Sequence, residues 1–307
     1  MTTALWLAVY GAVLTWLAPP VLRRLTCSGA NPAMGVAAWL TAIATVFCAW
    51  AVSLVLIAAA AVEGLWDSSA VTLCLELFGV SEHTPLPGRV GALALIFGGL
   101  AVSAVLVGRV GRRIYTFRSR SHEHAYAARL LGRPTGSSSD VVVVDSRQRM
   151  AYCVVGRPHA IVITSAAVTS LDGHQLAAVL AHERAHIRGR HHHVLMVLRA
   201  LASTLPRLPL FQQGAVAAAE LLEMCADDAA ARRHGARPLL DGLMVLSGPG
   251  VAPADGLAAA GTAVELRAMR LADPARRSAR WARGLALAMA MATMLCAPLF
   301  IELLCHH

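Results

Sequence analysis

The sequence predicts a mainly α membrane protein, in which four transmembrane helices frame a small α+β domain. Three observations lead there. Hydrophobic residues make up 57% of the 307 residues and charged residues 15%, where soluble domains average about 45–50% and about 25%. Four apolar stretches each approach the roughly 20 residues that a helix needs to cross hydrocarbon. Between the third and fourth of these, short β-rich runs give way to two segments with helical patterning.

The elements follow in chain order. Residues 1–22 are uncharged up to Arg23 and read as the first transmembrane helix. No basic residue precedes their apolar run, and "LAPPVL" lacks a small-residue cleavage pattern, so they read as a retained anchor and not as a leader. Residues 33–62 form the second span, and residues 63–88 an extracellular loop bearing Glu63, Asp67, Glu76 and Glu82. Residues 89–108 form the third span and residues 284–304 the fourth. Arginine clusters, "RVGRR" and "RRSARWAR", follow the third span and precede the fourth. Basic loops stay on the cytoplasmic side. Both termini and the acidic loop are therefore expected outside, and residues 109–283 in the cytoplasm, of a multi-pass protein of the bacterial inner membrane.

Residues 109–283 hold 24 Arg against 13 Asp and Glu, a net of +11, and the chain has no lysine. Such a surface suits contact with anionic lipid headgroups of the bilayer. No aromatic or recognition-helix pattern accompanies it, so no direct nucleic-acid partner is expected. The seven cysteines are odd in number and scattered, without a CxxC pair. They read as buried thiols and exclude a disulfide framework or a cysteine metal site.

Within this cytoplasmic segment, "RIYTFRSRSHEHAYAARLLGRP" reads as an amphipathic helix ending near Gly132, and "TGSSS" as a turn. "DVVVVD", "AYCVVG" and "AIVITS" read as three strands of a small sheet. "SLDGHQLAAVLAHERAHIRG" then reads as a helix, with Asp172 as N-cap, Gln175 three residues on, and Gly189 at the end.

On that helix His182 and His186 are four residues apart and share one face. Two imidazoles so placed can hold one metal ion, and Glu183 beside them can take a proton from an attacking water. "AVAAAELLEMCADDAAARRHG" reads as a second helix on which Glu223 and Asp227 are also four apart. Glu223 would complete a two-His, one-Glu metal site. Asp227 would accept the free N–H of a ligating histidine. Glu220, one turn earlier, is an alternative ligand, and Asp228 is expected at the surface. His234 is a possible carbonyl polariser.

The run "VLMVLRALASTLPRLPLF", residues 194–211, is apolar enough to suggest a further span. A single crossing there would put Glu223 across the bilayer from the histidines. It therefore reads as a helix and Pro-containing loop, packed on the domain or dipping into the interface.

"AVLAHERAHI" followed by "EMCADDAAA", between membrane spans and after a short β region, resembles the membrane-embedded gluzincin peptidases. It is most similar to the BlaR/MecR-type antirepressor metallopeptidases, with the HtpX-like membrane proteases as relatives. The resemblance covers roughly residues 109–245. It implies a zincin-like metallopeptidase domain with one Zn2+ held by His182, His186 and Glu223, Glu183 as general base, and Asp227 behind the metal. It further implies cleavage of a cytoplasmic or membrane-proximal protein, such as a BlaI/MecI-like winged-helix repressor. Quality control of membrane proteins, or a zinc-bound scaffold without activity, are the alternatives. Two positions depart from the pattern: Arg184 where an apolar residue is common, and His191 where an aspartate is common. The chain stops at His307, so the penicillin-binding sensor of the antibiotic receptors is expected to be absent.

Overall fold

A computed structural model describes residues 2–66, 88–134, 140–154, 156, 159–248 and 257–305. Most of the expected 63–88 loop and the "TGSSS" turn lie outside these residues. Three described helices are long and apolar enough to cross a membrane, within Thr3–Thr26, Pro32–Ala60 and Arg277–Pro298. They belong to α1 (Thr2–Thr26), α2 (Pro32–Trp66) and α10 (Arg277–Cys305). Hydrogen bonds in this bundle join side chains to carbonyls on neighbouring helices. Ser53 Oγ donates to the Ala4 carbonyl at 2.7 Å, and Tyr10 Oη to the Met294 carbonyl. Water is scarce among such helices, so polar side chains find partners on adjacent ones.

The expected third span and the amphipathic helix after it are one element. Helix α3 (Gly88–Leu131) runs unbroken for 44 residues, about 66 Å at 1.5 Å per residue. It contains no proline between Arg89 and Leu131, so nothing in its backbone forces a stop at the change from apolar to arginine-rich sequence.

The three β-rich runs form strands β2 (Val141–Val144), β3 (Ala151–Val154) and β4 (Ala160–Thr164). A two-residue strand β1 (Arg133–Pro134) extends the sheet, whose order is β1-β2-β4-β3. β2 pairs parallel with β4, and β3 pairs antiparallel with β4, setting Cys153 opposite Ile161. Central β4 is buried along its whole length. Its alternation assigns Val162 to one face, with Ala125 and Ala128 of α3. Ile161 and Ile163 go to the other, with Val179. The sheet thus lies between the far end of α3 on one side and, on the other, α4 (Ser165–Ser170) and α5 (Gly173–Arg188).

Asp172 caps α5 as expected. Its carboxylate accepts from the backbone of His174 and Gln175, each at 2.8 Å, and Gln175 Oε1 accepts from the Asp172 amide at 3.1 Å. After Gly189 come α6 (His191–Thr204) and α7 (Pro209–His234), an antiparallel pair joined by a tight turn. Gln212 Nε2 bonds the Ala202 carbonyl across that turn. Gly235, at φ 87°, then turns the chain into α8 (Ala236–Leu246), and α9 spans Leu257–Ala272.

The apolar run 194–211 therefore does not cross anything between the histidines and Glu223. Leu198, Leu201, Leu210 and Phe211 instead join one core with Leu22 of α1 and Trp39, Ile43 and Val46 of α2. The helix ends on either side of the α6–α7 elbow pack against the apolar helices, while Pro206 and Arg207 at its tip are exposed. Gly214 permits the close approach, because a Cβ there would meet Ile43 Cδ1 and Trp39 Cε3 at 3.2 Å. Gly214→Val should overpack this contact and cost about 1–3 kcal/mol. The expected readout is a lower melting temperature of the detergent-purified chain, while Val216→Ala, at an exposed position on α7, leaves it unchanged.

Candidate functional site

The two motif helices bring their polar faces together. In α5, a four-residue step returns His186 to the face of His182, and both rings are buried. α7 crosses them and presents Glu223 from the side, 38% exposed, with Asp227 one turn further and 0% exposed. His182 Nε2 lies 3.1 Å from His186 Nε2. Glu223 Oε2 is 3.4 Å from the first, and Glu223 Oε1 is 3.4 Å from the second. Three donors bound to one tetrahedral ion at 2.0–2.2 Å sit about 3.3 Å from one another. The separations lie near that value, with the two histidines facing different Glu223 oxygens, and one ligand atom from each residue falls within 4.8 Å of the others; among the described residues this is the His/Cys/Asp/Glu group whose ligand atoms converge.

Each ring nitrogen facing away from that triangle has a neighbour. His182 Nδ1 lies 3.0 Å from Asp227 Oδ1, although the contact lies off the ring N–H direction and leaves the nitrogen without an aligned hydrogen bond. His186 Nδ1 lies 3.0 Å from His191 Nδ1; with Nε2 turned to a metal, His186 Nδ1 carries the ring proton and would be the donor. His191 thus supports a histidine from the position where an aspartate is common. Burial, then the facing His186, pushes His191 down to about 4, so it is the neutral acceptor this contact needs. Arg190 just before it adopts φ 52°, the left-handed turn that swings α6 back and places His191 against α5.

Arg267 of α9 was not legible in the sequence. Its Nε and Nη2 bind the two oxygens of Asp227 at 2.8 Å each, and its Nη1 lies 3.2 Å from Glu223 Oε2. One guanidinium thereby grips both carboxylates of α7. One turn on, Arg270 pairs with Asp228 and also donates to the Gly29 carbonyl between α1 and α2 at 2.9 Å. Asp228 is therefore half-buried and paired, not a free surface residue as the sequence suggested. The i, i+3 spacing of two arginines opposite adjacent aspartates is the only local signal that could have found them.

The charges in this cluster shape one another. Burial opposes ionisation of His182, but the Asp227 and Glu223 carboxylates outweigh it and hold the ring up to about 9. Burial likewise opposes ionisation of Glu223. Its two histidine contacts and the Arg267 charge nonetheless keep its carboxyl well below the usual range. Glu183 goes the other way, its carboxyl raised chiefly by burial despite the two nearby histidines.

Other expected positions fall outside the cluster. Glu220 is exposed and lines a separate cleft with Arg23, so it is not a ligand. His234 is exposed at the end of α7 and does not line the site. Arg184 points away from the triangle and binds Asp140 at 3.0 Å, tying α5 to the start of β2.

The triangle opens into a cleft of about 510 Å3 walled by edge strand β3, α5 and α8, with Arg267 of α9 at one side. Leu239, Leu243 and Leu246 give it an apolar flank. Cys153 of β3 borders the same cleft. Burial, then the Glu183 carboxylate, pushes its thiol up to about 12, so it stays protonated and is not a nucleophile.

No curated protein and no solved structure matches the chain. The model of Peptidase family M48 matches residues 117–272, from within α3 through α9, just over half the chain and the whole of the cluster described above. A buried HExxH helix, a crossing carboxylate and apolar helices on either side of the domain thus belong together: the chain is a member of Peptidase family M48, a family of zinc-dependent metallopeptidases, and a membrane-associated one.

Proposed function

We propose that this chain is an integral-membrane zinc-dependent endopeptidase that cleaves an extended segment of a cytoplasmic or membrane-proximal protein. The observation that carries this reading is the convergence of His182, His186 and Glu223 within 4.8 Å, close enough to hold one ion, with Glu183 buried beside it. A zinc ion there supplies Lewis-acid chemistry, polarising the scissile carbonyl and acidifying water. Glu183 takes the proton of the attacking water and passes it to the leaving amine. A carboxyl raised by burial suits that two-way role near neutral pH. Asp227 and His191 hold the two imidazoles in orientation. Arg267 keeps Glu223 and Asp227 in place and offsets their combined negative charge. β3 is a sheet edge beside the cleft, so a substrate strand added along Ala151–Cys153 would pass over Glu183. The apolar flank of α8 would take its apolar side chains.

Four membrane spans are part of this reading: α1, α2, α10 and the first half of α3 (residues 89–108), with the peptidase domain cytoplasmic. The resemblance to BlaR/MecR-type antirepressor peptidases suggests a winged-helix repressor as substrate. A second reading, HtpX-like turnover of membrane proteins, draws support from two observations. The cleft is apolar-flanked, and the helix ends on either side of the α6–α7 elbow pack against α1 and α2.

Cells carrying the wild-type chain and cells carrying Glu183→Ala should differ in newly formed protein N-termini. A repressor among the cleaved proteins identifies signalling, and a spread of membrane proteins identifies quality control. Identical sets of N-termini would reject the peptidase. In the purified chain, Ala at His182, His186 or Glu223 should abolish stoichiometric zinc by elemental analysis, while Glu220→Ala retains it. Glu183→Ala should keep the zinc and lose on the order of 10^2–10^4 in hydrolysis. Arg267→Gln should weaken zinc affinity by roughly 10–100-fold, measured by competition with a chelator, because the carboxylates it grips lose their fixed positions.

A further inference from the structure

A second cavity, of about 690 Å3, adjoins the catalytic cleft between α3, Gly156 and His159, and the α5–α6 junction. Its walls include Arg118, Arg190 and Arg199, together with His122, His159 and His193. Among the described residues no aspartate or glutamate lines it. Among the described residues none of the three arginines forms an ion pair, unlike Arg184, Arg267 and Arg270, which all do. All three are exposed around one concavity, so their guanidinium groups together offer an anion several charged donors. His192 separates this cavity from the catalytic cleft, and both of its ring nitrogens are buried without a hydrogen-bond partner. α6 starts at the same place, and no side chain caps its N-terminus.

We infer that this cavity binds the phosphate group of an anionic phospholipid. Phosphate matches the donors, since guanidinium forks bind its oxygens in pairs. The lipid source follows from where the cavity lies. Arg199 stands between Leu198 and Leu201 on α6, and both leucines pack in the core with Trp39 and Ile43 of apolar α2. Arg118 lies on the continuation of the apolar half of α3. Phe117, Ile187, Leu195 and Met196 supply an apolar lining beside the charges, which a free phosphate has no use for and a lipid glycerol and acyl start can cover. The inference rests on the membrane placement proposed above but not on catalysis, and its test reads binding alone.

The full chain in neutral detergent is titrated with dihexanoyl phosphatidylglycerol, with dihexanoyl phosphatidylcholine, with inorganic phosphate and with an oligoglutamate peptide, and its melting temperature is followed. The expected result is a saturable rise with phosphatidylglycerol only. Arg118→Ser/Arg199→Ser should weaken this response by roughly tenfold or more, and Arg118→Gln should weaken it in part. Arg232→Ser/Arg233→Ser, an equal loss of charge at the exposed end of α7, should leave it intact. Should the double variant fold poorly, the single Arg118→Gln variant decides. An equal rise with phosphatidylcholine, no rise with phosphatidylglycerol, or a full response in the Arg118 variants would overturn the site. A matching rise with inorganic phosphate would replace the lipid with free phosphate. A rise with an oligoglutamate peptide and none with the lipid would assign the cavity to acidic protein segments instead.

Discussion

The site depends on one buried ion pair. Asp227 is 0% exposed, and a carboxylate so placed persists only if its charge is met. Arg267 meets it with two 2.8 Å contacts in the parallel fork geometry that guanidinium and carboxylate share. Everything else in the cluster is referred to that pair. The remaining Arg267 nitrogen reaches Glu223, and Asp227 Oδ1 reaches the back of His182. Three helices that are far apart in sequence, α5, α7 and α9, are thereby fixed to one another by charge. The ordering of the groups a metal would need is thus a consequence of how the domain closes, because α9 cannot leave without stranding a buried carboxylate.

Such a pair contributes little net stability on its own, since desolvating both charges costs about what their attraction returns. Its value is geometric. Apolar packing tolerates sliding by fractions of an ångström. Donor atoms that must converge at about 3.3 Å do not. The apolar work is done elsewhere, by Val179 of α5 against Ile161 and Ile163 of the sheet and by Phe211 and Leu222 of α7 against Trp39 of α2. The charged cluster sits between these two cores, so α7 is anchored on one face by hydrocarbon packing and registered on the other by ion pairs.

What the sequence revealed follows the range of the interactions involved. The capping box at Asp172 and Gln175, the strands around Val141, Cys153 and Ile163, and the shared face of His182 and His186 all arise within a few residues. Local pattern therefore exposed them. Glu223 was readable because its helix repeats the i, i+4 logic with Asp227. Arg267 was not, because its partner is 40 positions away and the domain offers 24 arginines with nothing local to single one out. The same limit explains Asp228, whose burial comes only from Arg270, and His191, whose role appears only once Arg190 turns the chain back. Residues 194–211 show a different ambiguity. Their hydrophobicity was plain, but composition does not say whether a helix is apolar because lipid surrounds it or because Trp39 and Ile43 do.

That last distinction bears on how a peptidase works beside a bilayer. Hydrolysis needs water at the cluster, and α1 and α2 are apolar. α7 meets both on its two faces: Leu221, Leu222 and Met224 pack in one core with Trp39 of α2, while Glu223 between them faces the histidines. That apolar packing continues along α7 from Phe211 to Met224, so the change from apolar to polar surroundings lies across the helix and not along it. The packing of α7 against α2 therefore fixes where Glu223 stands, because the residues on either side of it are held in that core.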